Sequence, residues 1–125
     1  MAEKQNKLVL MVTNGPENPE LATIPFVMAT AAQASNVEVL MGFQGNGVML
    51  TVKGMVEHVA ASGFPPLKDL VNIYLEGGGK IYVCGPCVGS RKIEQKDMIE
   101  GSTIVGAATF VAECVAAREC QDFCV

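Results

Sequence analysis

The feature that most restricts the fold is an unbroken apolar run near the start of the chain, Leu8-Val9-Leu10-Met11-Val12, between Lys7 and Thr13. A strand with one wet face alternates apolar and polar residues. A run without alternation belongs in a sheet covered on both faces, which implies parallel strands with helices above and below. Asn14-Gly15-Pro16 then stops the strand. Parallel strands need long crossovers, and the next segment supplies one: Ile24, Val27, Met28, Ala31 and Ala32 fall three and four apart, predicting a helix over 20–35. Pro25 suits a first turn better than a helix interior, which moves the expected start downstream. Asn36 can close that helix, and residues 37–41 form a second short apolar strand.

The pattern then loosens. Gly42-Phe43-Gln44-Gly45-Asn46-Gly47 reads as a loop, 48–52 as a helical turn or a strand, 56–61 as weakly helical, and Gly63-Phe64-Pro65-Pro66 as a turn. Leu67, Leu70, Val71, Tyr74 and Leu75 restore helical spacing, ended by Gly77-Gly78-Gly79. Residues 80–84 are the next strand, 90–100 a short helix and loop, 103–105 a strand, 106–118 a helix and 122–125 a last short strand. This alternation predicts one α/β domain over 1–125, with about five mainly parallel strands between two helical layers.

Half of the 125 residues are hydrophobic, enough for a single core. The net charge of -4 offers no basic stripe for phosphates, which argues against nucleic acid as a partner. No apolar stretch reaches the roughly 18 residues that span a bilayer; the longest candidate, 104–117, is broken by Gly106, Thr109 and Glu113. The polar opening lacks the apolar region of a signal peptide, so the expected location is the cytoplasm. An apolar excess in a small domain is commonly covered by further copies, and a homo-oligomer is expected.

Five cysteines, an odd number, argue against a structural disulfide framework in such a compartment and leave metal binding, redox chemistry or packing. Cys84-Gly85-Pro86-Cys87 is the sharpest of the chemical signals. Ligands of open α/β sheets gather beyond the carboxyl ends of the strands, and Cys84 ends its strand. A following helix amino end, with Arg91 and Lys92 near in sequence, favours a thiolate and would equally stabilise a persulfide anion; the backbone N–H groups from Gly85 to Gly89 are further candidate donors. The bland alternative is two small residues closing a turn.

The same four letters mark thioredoxins, but here the motif comes after about three strand and helix units and Val83 precedes it. A zinc site would combine Cys84 and Cys87 with Cys120 and Cys124, while Cys114 reads as core. The Gly42 to Gly47 loop matches no nucleotide-binding fingerprint. Like the Asn14-Gly15-Pro16 turn, it leaves the carboxyl end of a strand and could border the Cys84 site. His58, the single histidine, pairs with a cysteine only if the fold joins them, and reads more simply as exposed.

Taken together, several segments resemble the DsrE-like sulfur-transfer family: the strand and turn from Lys7 to Asn14, Pro25-Phe26-Val27-Met28-Ala29, Gly45-Asn46-Gly47-Val48, Gly63-Phe64-Pro65-Pro66-Leu67, the run from Gly78 to Cys87, and Ile104-Val105-Gly106-Ala107-Ala108. The resemblance implies a flavodoxin-like three-layer domain and a trimeric or hexameric assembly. It also implies a cysteine after a central strand, matched by Cys84, that carries persulfide sulfur between donor and acceptor proteins. Cys87 has no general counterpart in the family. The expected function is thus a sulfur carrier or sulfurtransferase needing no cofactor, with Cys84 and Cys87 as reacting thiols and Gly85, Gly89, Arg91 and Lys92 as anion stabilisers. Two alternatives stand beside it: an oligomeric binding module whose cysteines are structural or hold zinc, and a dithiol–disulfide oxidoreductase.

Overall fold

The apolar run near the start forms the first strand of a five-stranded sheet, β1 Lys7–Val12, followed by β2 Glu38–Phe43, β3 Lys80–Cys84, β4 Ser102–Val105 and β5 Phe123–Cys124. Every pairing is parallel, in the order β4-β3-β2-β1-β5. The computed structural model describes residues 6–119 and 123–124, with side chains described over 6–117. Helices α1 Pro19–Ala34, α2 Leu67–Glu76, α3 Gly85–Ser90 and α4 Ala107–Glu119 connect the strands, with 3-10 turns at Gly45–Thr51, Met55–His58 and Gln95–Asp97. The chain advances in one direction from β1 to β4 and then returns to the far side of β1. That reversal places helices on both faces.

The two-residue period of the strands sorts their side chains between those layers. Leu8, Leu10 and Val12, with Val39, Met41, Phe43, Ile81 and Val83, face α1 and α2. Val9 and Leu40 face the other way and pack with Ala117 of α4. On the larger face Phe26 is the hub, meeting Tyr74 edge-on at 5.8 Å and Phe43 at 5.9 Å between ring centroids. A ring so placed stabilises by roughly 1.5–3 kcal/mol through removal from water. Tyr74 is buried with its hydroxyl donating to the carbonyls of Lys80 and Val39, so α2 is held to the starts of β3 and β2. On the smaller face Lys7 of β1 pairs with Glu113 of α4.

Two expectations require correction. Helix α1 begins at Pro19, and Pro25 lies inside it. The start is set by Asn18, whose side chain accepts from the Leu21 N–H at 3.1 Å, and by Pro19 in the first turn, where a missing N–H loses nothing. The carbonyl that Pro25 leaves unbonded belongs to Leu21, a residue 45% exposed, where water can take its place. Second, Gly42 and Phe43 extend β2 rather than open a loop. A side chain at Gly42 would collide with Met11 and Phe110, so glycine here lets α4 approach the strand.

The ends of α1, α2 and α3 follow one scheme. Asn36, Gly78 and Lys92 each take a left-handed φ, of 63°, 84° and 57°, after α1, α2 and α3. In each case the next residue donates back five positions, Val37 to Ala32, Gly79 to Tyr74 and Ile93 to Val88. This is the Schellman closure. Among the described residues no helix is long and apolar enough to cross a membrane.

Candidate functional site

Strand β3 passes into α3 with no intervening loop. Cys84 is the last strand residue and the N-cap of the helix, with Pro86 in the first turn, where its ring tolerates the turn and no N–H is lost. Gly85-Pro86 therefore sets Cys84 at the N-cap and Cys87 at the third helical position, the two places whose side chains neighbour one another at a helix start. Both thiols are free and half-buried.

Loops from the two preceding strands close over them. After β2 the chain turns at Gly45, φ 52°, whose N–H donates to the Cys87 sulfur at 3.2 Å. That turn is pinned to the end of β1. Gln44 donates to the Val12 carbonyl at 3.0 Å, and a Cβ at Gly47 would overlap the same carbonyl group. After β1, the Gly15 N–H donates to both carboxylate oxygens of Glu17, at 3.1 and 3.0 Å. Glu17 in turn accepts from the Asn46 side-chain amide. The Asn46 oxygen accepts from Arg91 Nε at 3.4 Å, and Arg91 Nη1 donates to the Cys87 carbonyl at 3.1 Å. One chain of hydrogen bonds thus joins the ends of β1, β2 and β3.

The two thiols are driven apart in acidity. Burial, with the neighbouring Cys87 thiol, pushes Cys84 above the ordinary cysteine value. A hydrogen bond with Cys84 holds Cys87 below it. Burial opposes that shift, and the Gly45 N–H and the Arg91 guanidinium reinforce it. The Gly15 N–H and then the Asn46 amide keep Glu17 below the usual carboxylate range.

The residues singled out in sequence are therefore distributed unevenly. Cys84, Cys87, Gly85 and Arg91 come together. Gly89 lies on the exposed side of α3 with open space around its Cα. Lys92 is exposed and serves the helix end; its charge is not among the groups acting on either thiol. Both glycine-containing turns do border the site, and Gly45 and Asn46 from the second one enter it. Glu17 was not singled out; its position directly after the Asn14-Gly15-Pro16 turn was the available signal. His58 is exposed and bonded to neither cysteine.

Of the four cysteines considered for zinc, Cys120 lies outside the described residues. Cys124 pairs with Val9 on β5, three strands from β3, a backbone separation of about 14 Å at the usual strand spacing. Among the described residues no group of three His, Cys, Asp or Glu can hold a metal ion. Cys114 packs beside Val9, Leu40 and Ala117 as expected of a core residue, and it is also disulfide-bonded, a linkage that the argument against a disulfide framework did not foresee.

These features define a class: a three-layer, flavodoxin-like α/β domain with a two-thiol site at the carboxyl edge of its sheet. The chain belongs to the DsrE/DsrF-like family, whose model matches residues 6–117. It is 37% identical over 108 residues to the uncharacterized protein MJ0760 of Methanocaldococcus jannaschii, covering 86% of this chain and 39% of that protein, so it spans about two fifths of that relative's length. A second uncharacterized protein of that organism, MJ0989, is 27% identical over 85% of this chain and 90% of its own. Among solved structures, the ychN protein of E. coli superposes with a TM-score of 0.76 at 15% identity, over 96% of this chain and 99% of that one. MTH1491 of Methanobacterium thermoautotrophicum, a protein of unknown function, gives 0.66 at 14% identity, over 96% and 97%. At these identities the structural likeness concerns the fold.

Proposed function

We propose that this protein is a sulfur carrier that accepts sulfane sulfur from a donor protein at the Cys84–Cys87 site, holds it as a persulfide, and yields it to an acceptor thiol. The observation that carries the reading is the pair of free, half-buried thiols at the end of β3 beside the Arg91 guanidinium, in a member of a family associated with sulfur transfer. A persulfide is a soft anion at neutral pH. It is best kept where an N–H and a guanidinium face it and bulk water is partly excluded. Neither uptake nor release requires a cofactor, since each is exchange at sulfur.

Transfer between proteins requires an accessible site and a means of meeting partners. Cys84 and Cys87 are half-buried rather than enclosed at the carboxyl edge of the sheet, and large apolar side chains at Ile104, Val111 and Val115 are exposed on β4 and α4. Those side chains support assembly with further copies, in the trimeric or hexameric form expected of the family. The free thiols of the site suit the cytoplasm, although the disulfide at Cys114 does not.

Intact mass spectrometry after incubation with inorganic polysulfide tests the reading. Addition of reductant-labile sulfur to wild type, and its loss in a Cys84→Ser/Cys87→Ser double variant, supports it. Equal addition to both proteins, or none to either, rejects it. The dithiol–disulfide reading is favoured by the neighbouring helix-start positions of the two sulfurs. It predicts a reversible Cys84–Cys87 disulfide and reductase activity toward a protein disulfide without sulfur uptake.

A further inference from the structure

The family resemblance points to the strand-end cysteine, but the anion-stabilising groups of this chain do not converge there. The Gly45 N–H is directed at Cys87, at 3.2 Å, and cannot easily withdraw, because Gln44 and Gly47 hold its turn against the end of β1. Arg91, one helical turn past Cys87, bonds that residue's carbonyl and is oriented from its other side by Asn46. Asn46 is fixed in turn by Glu17, itself bonded to the Gly15 N–H. Among the described residues no backbone N–H from another loop reaches Cys84; the Cys87 N–H, which makes no capping bond, and the Arg91 charge favour its anion, while burial and the Cys87 thiol oppose it.

We propose that Cys87, rather than Cys84, is the sulfur that attacks the donor and carries the persulfide, and that Asn46, oriented by Glu17, is a positioning residue that holds Arg91 beside it. The assignment rests on the carrier reading above. In the uptake step the Cys87 thiolate attacks the outer sulfur of a donor persulfide, R–S–SH. A Cys87 Sγ–S bond forms, the donor S–S bond breaks, and R–S⁻ leaves with the bonding pair. The products are Cys87–S–SH and a donor thiolate, with no net oxidation. Loss of the terminal proton to solvent gives Cys87–S–S⁻, facing the Gly45 N–H and Arg91. Release repeats the exchange in reverse with an acceptor thiolate, regenerating the Cys87 thiolate. Cys84 remains a thiol and supplies the hydrogen bond that favours the anion on its neighbour.

The test has two independent readouts on the full-length protein. In the first, wild type, Cys84→Ser and Cys87→Ser are alkylated with iodoacetamide across a pH series, and the modified residue is located by peptide mass spectrometry. Cys87 should react first, with a midpoint below that of an ordinary thiol; Cys84 reacting first overturns the assignment. In the second, the same proteins are exposed briefly to inorganic polysulfide. Cys84→Ser should still take sulfur, on Cys87, whereas Cys87→Ser should take it up at least about tenfold more slowly. Uptake on Cys84 at the wild-type rate in Cys87→Ser overturns the proposal.

If wild type takes no sulfur, the carrier reading itself fails, while the alkylation order still reports separately which thiol is the nucleophile. For the positioning role, Asn46→Ala should lower Cys87 alkylation at neutral pH about three- to tenfold and move its profile to higher pH, with the melting temperature unchanged. Arg91→Met should do the same and Arg91→Lys should restore part of the rate, since the charge returns without the fork. An unmoved profile in Asn46→Ala and Arg91→Met refutes the positioning role.

Discussion

Replacing Gly47 by alanine tests whether the turn that covers Cys87 is held against β1 as closely as the structure shows. Gly47 is buried in the 3-10 turn Gly45–Thr51, and an added Cβ would overlap the Val12 carbonyl oxygen and carbon. Those are backbone atoms of a central strand and cannot swing aside as a side-chain tip would. Relieving the overlap must move the turn away from the strand, a forced adjustment that in packed interiors costs about 1–3 kcal/mol. Alanine also restricts the unfolded chain, which returns about 0.4–1 kcal/mol. The net expectation is a loss of about 1–2 kcal/mol. For a domain of this size that lowers the melting temperature by roughly 4–8 °C. Urea melts followed by circular dichroism should show an earlier midpoint with an unchanged slope. Because the displaced turn carries the Gly45 N–H, Cys87 should also alkylate more slowly at neutral pH. A variant as stable as wild type or more so would refute the close approach, and with it the fixed placement of the Gly45 donor.

Three further outcomes follow from the same geometry. Gly89→Ala adds a methyl group where nothing lies within 4 Å, in a helix that disfavours glycine, so thermal melts should show a gain of about 0.5–1 kcal/mol. Tyr74→Phe removes a buried hydroxyl that bonds strand carbonyls at Lys80 and Val39 and should lose about 1–2 kcal/mol in urea titrations, with the fold retained by circular dichroism. The third concerns pH. Folding lowers the proton affinity of Cys87, so below the ordinary thiol value, near 9, the unfolded chain binds more protons at this group and stability rises with pH. The contribution is present above that value and lost as pH falls through the folded value. Cys84, shifted upward, acts in the opposite sense above 9. The urea midpoint of wild type should therefore gain on that of Cys87→Ser between pH 7 and 9; parallel curves would refute a depressed Cys87.

Local signals were sufficient for much of this molecule. The apolar run of β1, the helical spacing of α2 and the strand ending in Cys84 were all legible because each element satisfies its own period and stops at residues suited to a turn. The left-handed closure at Asn36 was legible for the same reason. By contrast, Pro25 inside α1 was not, since its penalty depends on whether the carbonyl it strands meets water or protein. Nor was the extension of β2 through Gly42 and Phe43. The glycine there answers to Phe110, far along the chain.

By itself the sequence determined the layered α/β fold, the position of the cysteine pair and the turns that could approach it, because periodicity, turn chemistry and motif spacing are properties of neighbours along the chain. Only the tertiary structure decided which thiol is the better anion. The groups that make the difference, the Gly45 N–H and the Glu17, Asn46 and Arg91 chain, come from three strand ends. A hydrogen bond or a charge acts over a few ångströms of space whatever the distance along the chain. Only when parallel pairing brings β1, β2 and β3 side by side do those loops face Cys87 more closely than Cys84.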